Sequence, residues 1–376
     1  MTSRDRHFST LIVGGAGAFG ARIAALLARG GDIDLVLAGR AAGALAAGAA
    51  ALGGVVERPV RTAVLDAERV TADDLAPLGV DLVINASGPF QGRDYRLARA
   101  AIAAGCHYVD LADARAFVAG FSALDDDARA AGVLAVSGAS SVPGLSSAVV
   151  VHHCDAFASI DEIDIAISPG NAFDPGVATV ASVLGGVGQP IRMLSDGEWR
   201  TVYGWQGLRR MSFYAAGRRW LGYVDVPDLD LLPAHVASIK TVRFQAGLEV
   251  SMFHLGLWAA SWLVRSGLVR SLAPLAPRLL AIKRALQGFG SDRGGMLVRM
   301  RGLGRDGKLK AMTWTLVAGS GHGPYVPALA SVALAKRLAS GLETRRGAMP
   351  CHGVLRLADI LAETEGLDIA VTVVPD

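Results

Sequence analysis

Gly15, Gly17 and Gly20 follow the apolar run Leu11-Ile12-Val13 and precede an alanine-rich segment, in the spacing G-x-G-x-x-G. Where that spacing joins a buried strand to a helix, it describes a cradle for phosphate. Gly15 permits a tight turn, Gly17 lets a pyrophosphate approach the backbone, and Gly20 lets the helix pack on the strand. Ala18 and Phe19 lead into that helix, whose start offers N–H groups and partial positive charge to an anion. About twenty residues on, sites for a dinucleotide with a free 2′-hydroxyl carry Asp or Glu. This chain has Ala38-Gly39-Arg40 instead. A guanidinium suits a 2′-phosphate and stacks on adenine, so NADP(H) is the expected cofactor ahead of NAD. Asp66 either accepts from the adenine amine or is a solvated loop acid. The segment Asn85-Ala86-Ser87-Gly88-Pro89-Phe90 closes a further strand. It either borders the cofactor, with Asn85 toward the ribose and Ser87, Gly88 and Pro89 beside it, or is an ordinary Gly-Pro strand exit.

Hydride transfer needs a positioned nicotinamide and often a proton donor near the substrate. Tyr108, Asp110 and Asp113 stand at the carboxyl end of the fifth apolar run, and Ser140 follows the sixth. Either acid can orient substrate or exchange a proton once burial raises its pKa. Equally, Asp113 can cap a helix and Asp110 can shape the turn. Ser140 and Ser141 can meet the nicotinamide amide or a substrate oxygen, or serve as N-caps. None of the six tyrosines has Lys four residues later, which argues against the short-chain reductase mechanism. His152-His153-Cys154-Asp155 has no second cluster at ligand spacing, so no metal site is expected. His322, in a Gly-rich turn, reads more readily as a surface histidine than as a site residue.

These residues need a scaffold. Short apolar runs at Thr10–Gly14, Asp34–Ala38, Val60–Leu65, Asp81–Asn85, His107–Leu111 and Val133–Ser137 alternate with helical segments, notably Ala18–Arg29, Tyr95–Ala104 and Phe117–Ala131. That alternation predicts a parallel, doubly wound Rossmann sheet. All six tryptophans lie beyond residue 155, where Ile160–Ile167, Thr201–Trp205 and Thr241–Phe244 predict antiparallel strands. Met296–Met300 and Met312–Val317 flank Arg305-Asp306-Gly307 and predict a hairpin. A helix from Val326 to Ser340 and a strand at Asp368–Val373 close the chain. The expected class is α/β, with a Rossmann domain over 1–155, a mixed antiparallel-sheet α/β domain over 156–320, and a C-terminal segment over 321–376.

The glycine loop, the Asn85–Phe90 segment, His107-Tyr108-Val109-Asp110-Leu111, the turn at Pro143-Gly144 and the late Gly347-Ala348-Met349-Pro350-Cys351 together resemble the saccharopine dehydrogenase (saccharopine reductase-like) family. The resemblance is good over 8–150 and looser beyond. It implies a Rossmann domain interrupted by a mixed α/β domain, with a C-terminal helix returning to the first. It also implies reduction of an imine or an enoyl bond. Saccharopine reductases typically carry an acid in the loop after the sixth strand. Here the loop is Ala139-Ser140-Ser141-Val142-Pro143-Gly144, without one. The reading is therefore an NADPH-dependent reductase of a C=C or C=N bond in a small, apolar substrate. A saccharopine-type amino-acid reductase and a non-catalytic NADP-binding protein at a lipid surface are the alternatives.

The second alternative comes from a basic segment. From Glu249 to Asp292 there is no acid, while Arg265, Arg270, Arg278, Lys283 and Arg284 punctuate a run rich in Leu, Phe and Trp. That composition suits either lipid contact through 250–286 or a covered dimer or domain face whose arginines reach outward. A homodimer is the expected assembly. The whole chain of 376 residues is near neutral at +3, which gives no reason for a nucleic acid partner. Cys106, Cys154 and Cys351 lie far apart, so a reducing, cytoplasmic setting is expected.

Overall fold

The computed structural model describes residues 7–56 and 58–375. The chain divides into two compact units. One takes the residues up to Leu145 together with Pro324–Glu365, and the other takes Ser146–Gly323 with the final segment from Gly366.

The strands of the first unit are β1 (Phe8–Val13), β2 (Ile33–Gly39), β3 (Arg61–Val64), β4 (Leu82–Asn85), β5 (His107–Asp110) and β6 (Leu134–Ser137). Leu11, Ile12, Leu82, Val83 and Ile84 are wholly buried, as continuous apolar runs in a sheet covered on both faces must be. All pairings are parallel, and β1 lies between β2 and β4. Connections leave β1 in opposite directions there, so its carboxyl end opens a crevice.

Helix Phe117–Ala131 does not form as one piece. It splits into Arg115–Ala119, a turn at Phe121–Leu124 and Asp125–Ala130. The Tyr95 hydroxyl donates to the Phe117 carbonyl at 2.8 Å, and a Cβ on Gly120 would lie 2.6 Å from the Tyr95 hydroxyl oxygen. The ring occupies the place where the helix would continue.

The second unit brings β7 (Phe157–Ser168), β8 (Pro190–Ser195), β9 (Glu198–Tyr203), β10 (Arg209–Ser212), β11 (Arg218–Tyr223), β12 (Thr241–Ala246), β13 (Gly294–Gly304) and β14 (Leu309–Ala318). The chain then returns to the first unit with helix Val326–Ala339 and β15 (Gly347–Pro350), and ends in the second unit with β16 (Ile369–Pro375). β15 pairs with β6 in parallel, completing a first sheet ordered β15-β6-β5-β4-β1-β2-β3. The second sheet runs β10-β11-β12-β7-β13-β14-β16, and β8 and β9 form a separate hairpin. The hairpin at Arg305-Asp306-Gly307 forms, with Leu303 opposite Leu309 and Gly307 at φ +75°. The antiparallel expectation needs one correction. Ile160–Ile167 and Thr241–Phe244 lie in neighbouring strands that run parallel, Ile163 beside Val242 and Ile165 beside Phe244. Alternation records which face is buried, not which way a partner runs.

The second sheet has one apolar face, with Ile163, Val242, Val298 and Met300 wholly buried. Its other face carries an ion-pair ladder. Asp164 accepts from Arg209 at 3.0 Å and from Arg243 at 3.1 Å, and Glu162 pairs with Arg243 and Arg301. Burial raises the Asp164 carboxyl, but the two guanidinium groups outweigh it and leave its pKa below the usual value.

Asp228, at the start of helix Asp228–His235, is completely buried and bonded to the Ser146 hydroxyl. Its Oδ2 has no hydrogen-bond partner, and burial pushes the carboxyl up to about 6. A raised carboxyl favours the fold while protonated, so this contribution is intact below about pH 4 and is lost as pH rises through 6. Asp228→Asn keeps the Ser146 bond and removes the forced ionisation. The variant is expected to be more stable than wild type at pH 8, by at most about 2–3 kcal/mol, and equal to it at pH 4. Urea unfolding at both pH values checks this, and an equal gap at the two would refute it.

Candidate functional site

At the end of β1 the chain turns at Gly14, whose φ of +82° lies in the left-handed region that glycine adopts freely. The tight-turn role expected of Gly15 thus falls to Gly14, where a Cβ would lie 2.8 Å from the Ala86 carbonyl oxygen. Gly15 is small for another reason, since its Cβ would lie 3.1 Å from that of Leu37. The amides of Gly14 and Gly15 donate to the Ala38 carbonyl at 2.8 and 3.1 Å, which ties the turn to β2. Gly17 is exposed and its amide donates to Gly14 at 2.8 Å. A Cβ on Gly20 would lie 2.7 Å from the Gly14 carbonyl carbon, so helix Gly20–Ala28 starts flush against the turn.

That helix start leaves its donors open. Its N-cap, Phe19, supplies no side-chain bond, and no acid occupies the first turn. Among the described residues, the amides of Ala18, Phe19 and Gly20 donate to no backbone carbonyl. Uncapped N–H groups at an exposed glycine turn are the donors that a phosphate would need. Arg40 stands two residues past the carbonyl that anchors this turn. It is exposed and makes no ion pair or side-chain hydrogen bond among the described residues. Asp66, half-buried after β3, spends Oδ1 on the Glu68 amide at 3.0 Å.

Across the crevice, Asn85 Oδ1 accepts from the Ser87 amide at 3.0 Å and the Ser87 hydroxyl at 2.6 Å, while its Nδ2 donates to the Tyr108 hydroxyl at 3.1 Å. Gly88 is exposed and Pro89 half-buried. A recess of about 40 Å³ opens among Asn85, Ser87, Pro89, Phe90 and Tyr108, so the strand exit leaves space at the sheet's carboxyl end.

The residues read as catalytic lie one layer deeper. Tyr108 is 1% exposed and Asp110 is fully buried. Asp110 Oδ1 accepts from the amides of Ala112 and Gly138 at 3.0 and 2.8 Å and from the Ser137 hydroxyl at 3.0 Å. Oδ2 has no hydrogen bond of good geometry, although the Tyr108 hydroxyl interacts with the carboxylate. Burial pushes the Asp110 carboxyl up to about 6 against the pull of those donors, and lifts the Tyr108 phenol well above its usual value. Ser137 and Gly138 escaped sequence reasoning, because only the pairing of β5 with β6 reveals them as partners of Asp110. Ser140 is 7% exposed, with no hydrogen bond from its hydroxyl among the described residues. Asp113 is exposed on the loop after β5, where it accepts from Gln91 at 3.3 Å. His322 belongs to the second unit, its Nδ1 accepting from the Asp368 amide at 2.7 Å.

Comparison with known proteins bears on the fold and on the first domain. Residues 10–136 match the family model described as the saccharopine dehydrogenase NADP binding domain. A search of curated proteins found no match. Among solved structures, the chain resembles an apo histidine-tagged saccharopine dehydrogenase (L-Glu forming) from Saccharomyces cerevisiae, at 13% identity, with a TM-score of 0.69, over 98% of this chain and 100% of that one. A weaker likeness, at 14% identity and a TM-score of 0.39 over 86% of this chain and 75% of the other, is to GenD2 from gentamicin A biosynthesis in complex with NAD. Residues 10–136 thus carry the saccharopine dehydrogenase NADP binding domain, and the chain as a whole shares the fold of that dehydrogenase.

Proposed function

We propose that the chain is an NADPH-dependent reductase that delivers hydride to a C=C or C=N bond of a small, apolar molecule. The observation that carries the cofactor preference is Arg40, exposed and unpaired beside the amide-lined turn, where a carboxylate would repel a 2′-phosphate. Bound NADPH supplies the hydride. The turn at Gly14–Gly20 holds the pyrophosphate, Arg40 the 2′-phosphate, Asn85, Ser87, Gly88 and Pro89 border the ribose, and Asp66 faces the adenosine end.

At the carboxyl ends of β5 and β6 we assign different tasks to the three deeper residues. Ser140 has an uncommitted hydroxyl and is the one suited to touch the nicotinamide amide or a substrate oxygen. Tyr108 and Asp110 act as positioning residues, holding the Asn85 and Ser137–Gly138 loops to which they are bonded. An amino-acid substrate would need free cations to hold its carboxylates. Arg209 is paired with Asp164 and Arg219 with Glu249, both at 3.0 Å, which leaves Arg210 and Arg218 as the exposed arginines of these strands with no acid partner among the described residues. The apolar substrate is favoured instead by the acid-free loop over residues 139–144.

Incubation with NADPH deuterated at nicotinamide C4, against a panel of α,β-unsaturated thioesters and aliphatic imines, tests the chemistry. Mass spectrometry is expected to find one deuterium in a saturated product from the apolar members. Transfer confined to imines of amino acids would contradict the substrate class. No transfer at all, with NADPH shown to bind, would contradict the catalytic reading.

A further inference from the structure

Helix Ser251–Arg265 packs Leu257, Ala260 and Val264 on an apolar cluster and carries a second apolar stripe outward. Its buried residues are His254, Ser261 and Val264, two of them polar, while Met252, Leu255, Trp262 and Leu263 are 64%, 36%, 47% and 47% exposed. A helix on a water-facing surface has one apolar stripe, turned to the core, and a polar outer face. The exposed apolar set continues through Leu268 (78%), Leu275 (38%) and Ile282 (50%), the last on the next helix, Ala276–Ala285. Met252, Leu255, Trp262 and Leu263 share one side of the helix by their 100° spacing, and an exposed apolar stripe of this kind marks a binding face.

Charge selects the occupant. No acid lies between Glu249 and Asp292. Lys283 is spent on the carbonyls of Asn171 and Phe173, Arg284 on Asp174, and Arg265 on Gln206 with the rings of Tyr203 and Trp262. Arg270 and Arg278 are exposed, and among the described residues their guanidinium groups have no partner. A second copy placed by two-fold symmetry on this face would bring the same cations together with no acid to answer them. An anionic lipid surface answers both the apolar side chains and the free arginines. No helix among the described residues is long and apolar enough to cross a membrane.

We infer that residues 251–282 form a peripheral docking surface for an anionic lipid bilayer, with Trp262 and Leu263 entering the acyl boundary and Arg270 and Arg278 meeting lipid phosphates. The inference stands apart from the proposed reductase activity, since it rests on a surface of the second unit alone.

Flotation of the full chain with vesicles of phosphatidylcholine, with and without phosphatidylserine, tests it. Binding is expected to phosphatidylserine vesicles and to weaken with salt. Trp262→Ser with Leu263→Ser is expected to lower the bound fraction by about tenfold or more, and Arg270→Glu with Arg278→Glu by about tenfold as well. Because all four side chains are exposed, these variants should keep the wild-type melting temperature and NADPH affinity, which separates loss of docking from loss of fold or cofactor site. Failure to float with phosphatidylserine vesicles would overturn the inference. So would sedimentation showing a dimer that Trp262→Ser with Leu263→Ser dissolves, since that would assign the face to a second copy.

Discussion

Asp110→Ala is expected to destabilise the first unit by about 3–5 kcal/mol, a large share of the 5–15 kcal/mol typical of a folded protein. Three donors lose their acceptor at once: the amides of Ala112 and Gly138 and the Ser137 hydroxyl, all within 3.0 Å of one oxygen. Each sits in an interior where the carboxyl itself has no exposure, so water cannot replace it. Relief of a buried acid whose carboxyl is held up near 6 offsets part of the cost, which is why the range stops short of three full penalties. Asp110→Asn keeps an acceptor oxygen toward the same donors and should cost less than about 1 kcal/mol near neutral pH. Denaturant unfolding of both variants decides the matter. Equal stability of Asp110→Ala and wild type would remove the positioning role. Asp110→Asn that folds, binds NADPH and abolishes turnover would instead make Asp110 a proton donor in the reaction.

The second large effect concerns cofactor choice. A charge-assisted contact between guanidinium and phosphate contributes about 1.5–3 kcal/mol, so Arg40→Ala should raise the Kd for NADPH by about 10- to 150-fold. NADH lacks the 2′-phosphate and should lose less than about twofold. Arg40 has no protein partner to release, so the change should leave the fold intact. Arg40→Asp adds repulsion to the phosphate and a hydrogen-bond acceptor for the ribose, and is expected to reverse the preference.

The parts of the fold that the sequence displays are those encoded locally. Leu11-Ile12-Val13 and Leu82-Val83-Ile84 are apolar on both faces because both faces are covered, and that pattern is visible without knowing any partner. The glycine turn is legible for the same reason, being a short-range steric requirement. What stayed hidden depends on distant chain. Gly347–Pro350 carries Gly and Pro, has no period of its own, and becomes a strand only because β6 offers its edge. The direction of β12 against β7 is set by the path of the intervening chain rather than by either strand. At Gly14, which takes the left-handed turn instead of Gly15, the Ala86 carbonyl leaves no room for a Cβ, a contact from another strand's loop. The basic, acid-free segment is plain in the composition, whereas the outward turn of Trp262 and Leu263 is not, since amphipathic periodicity alone does not say which face meets water.

Calorimetric titration of wild type and Arg40→Ala with NADPH and with NADH probes the account at its root. Tighter binding of NADPH by wild type, with most of that advantage lost in the variant while NADH binding stays unchanged, is the predicted result. Equal affinities for the two nucleotides, or an NADPH preference that survives Arg40→Ala, would contradict it.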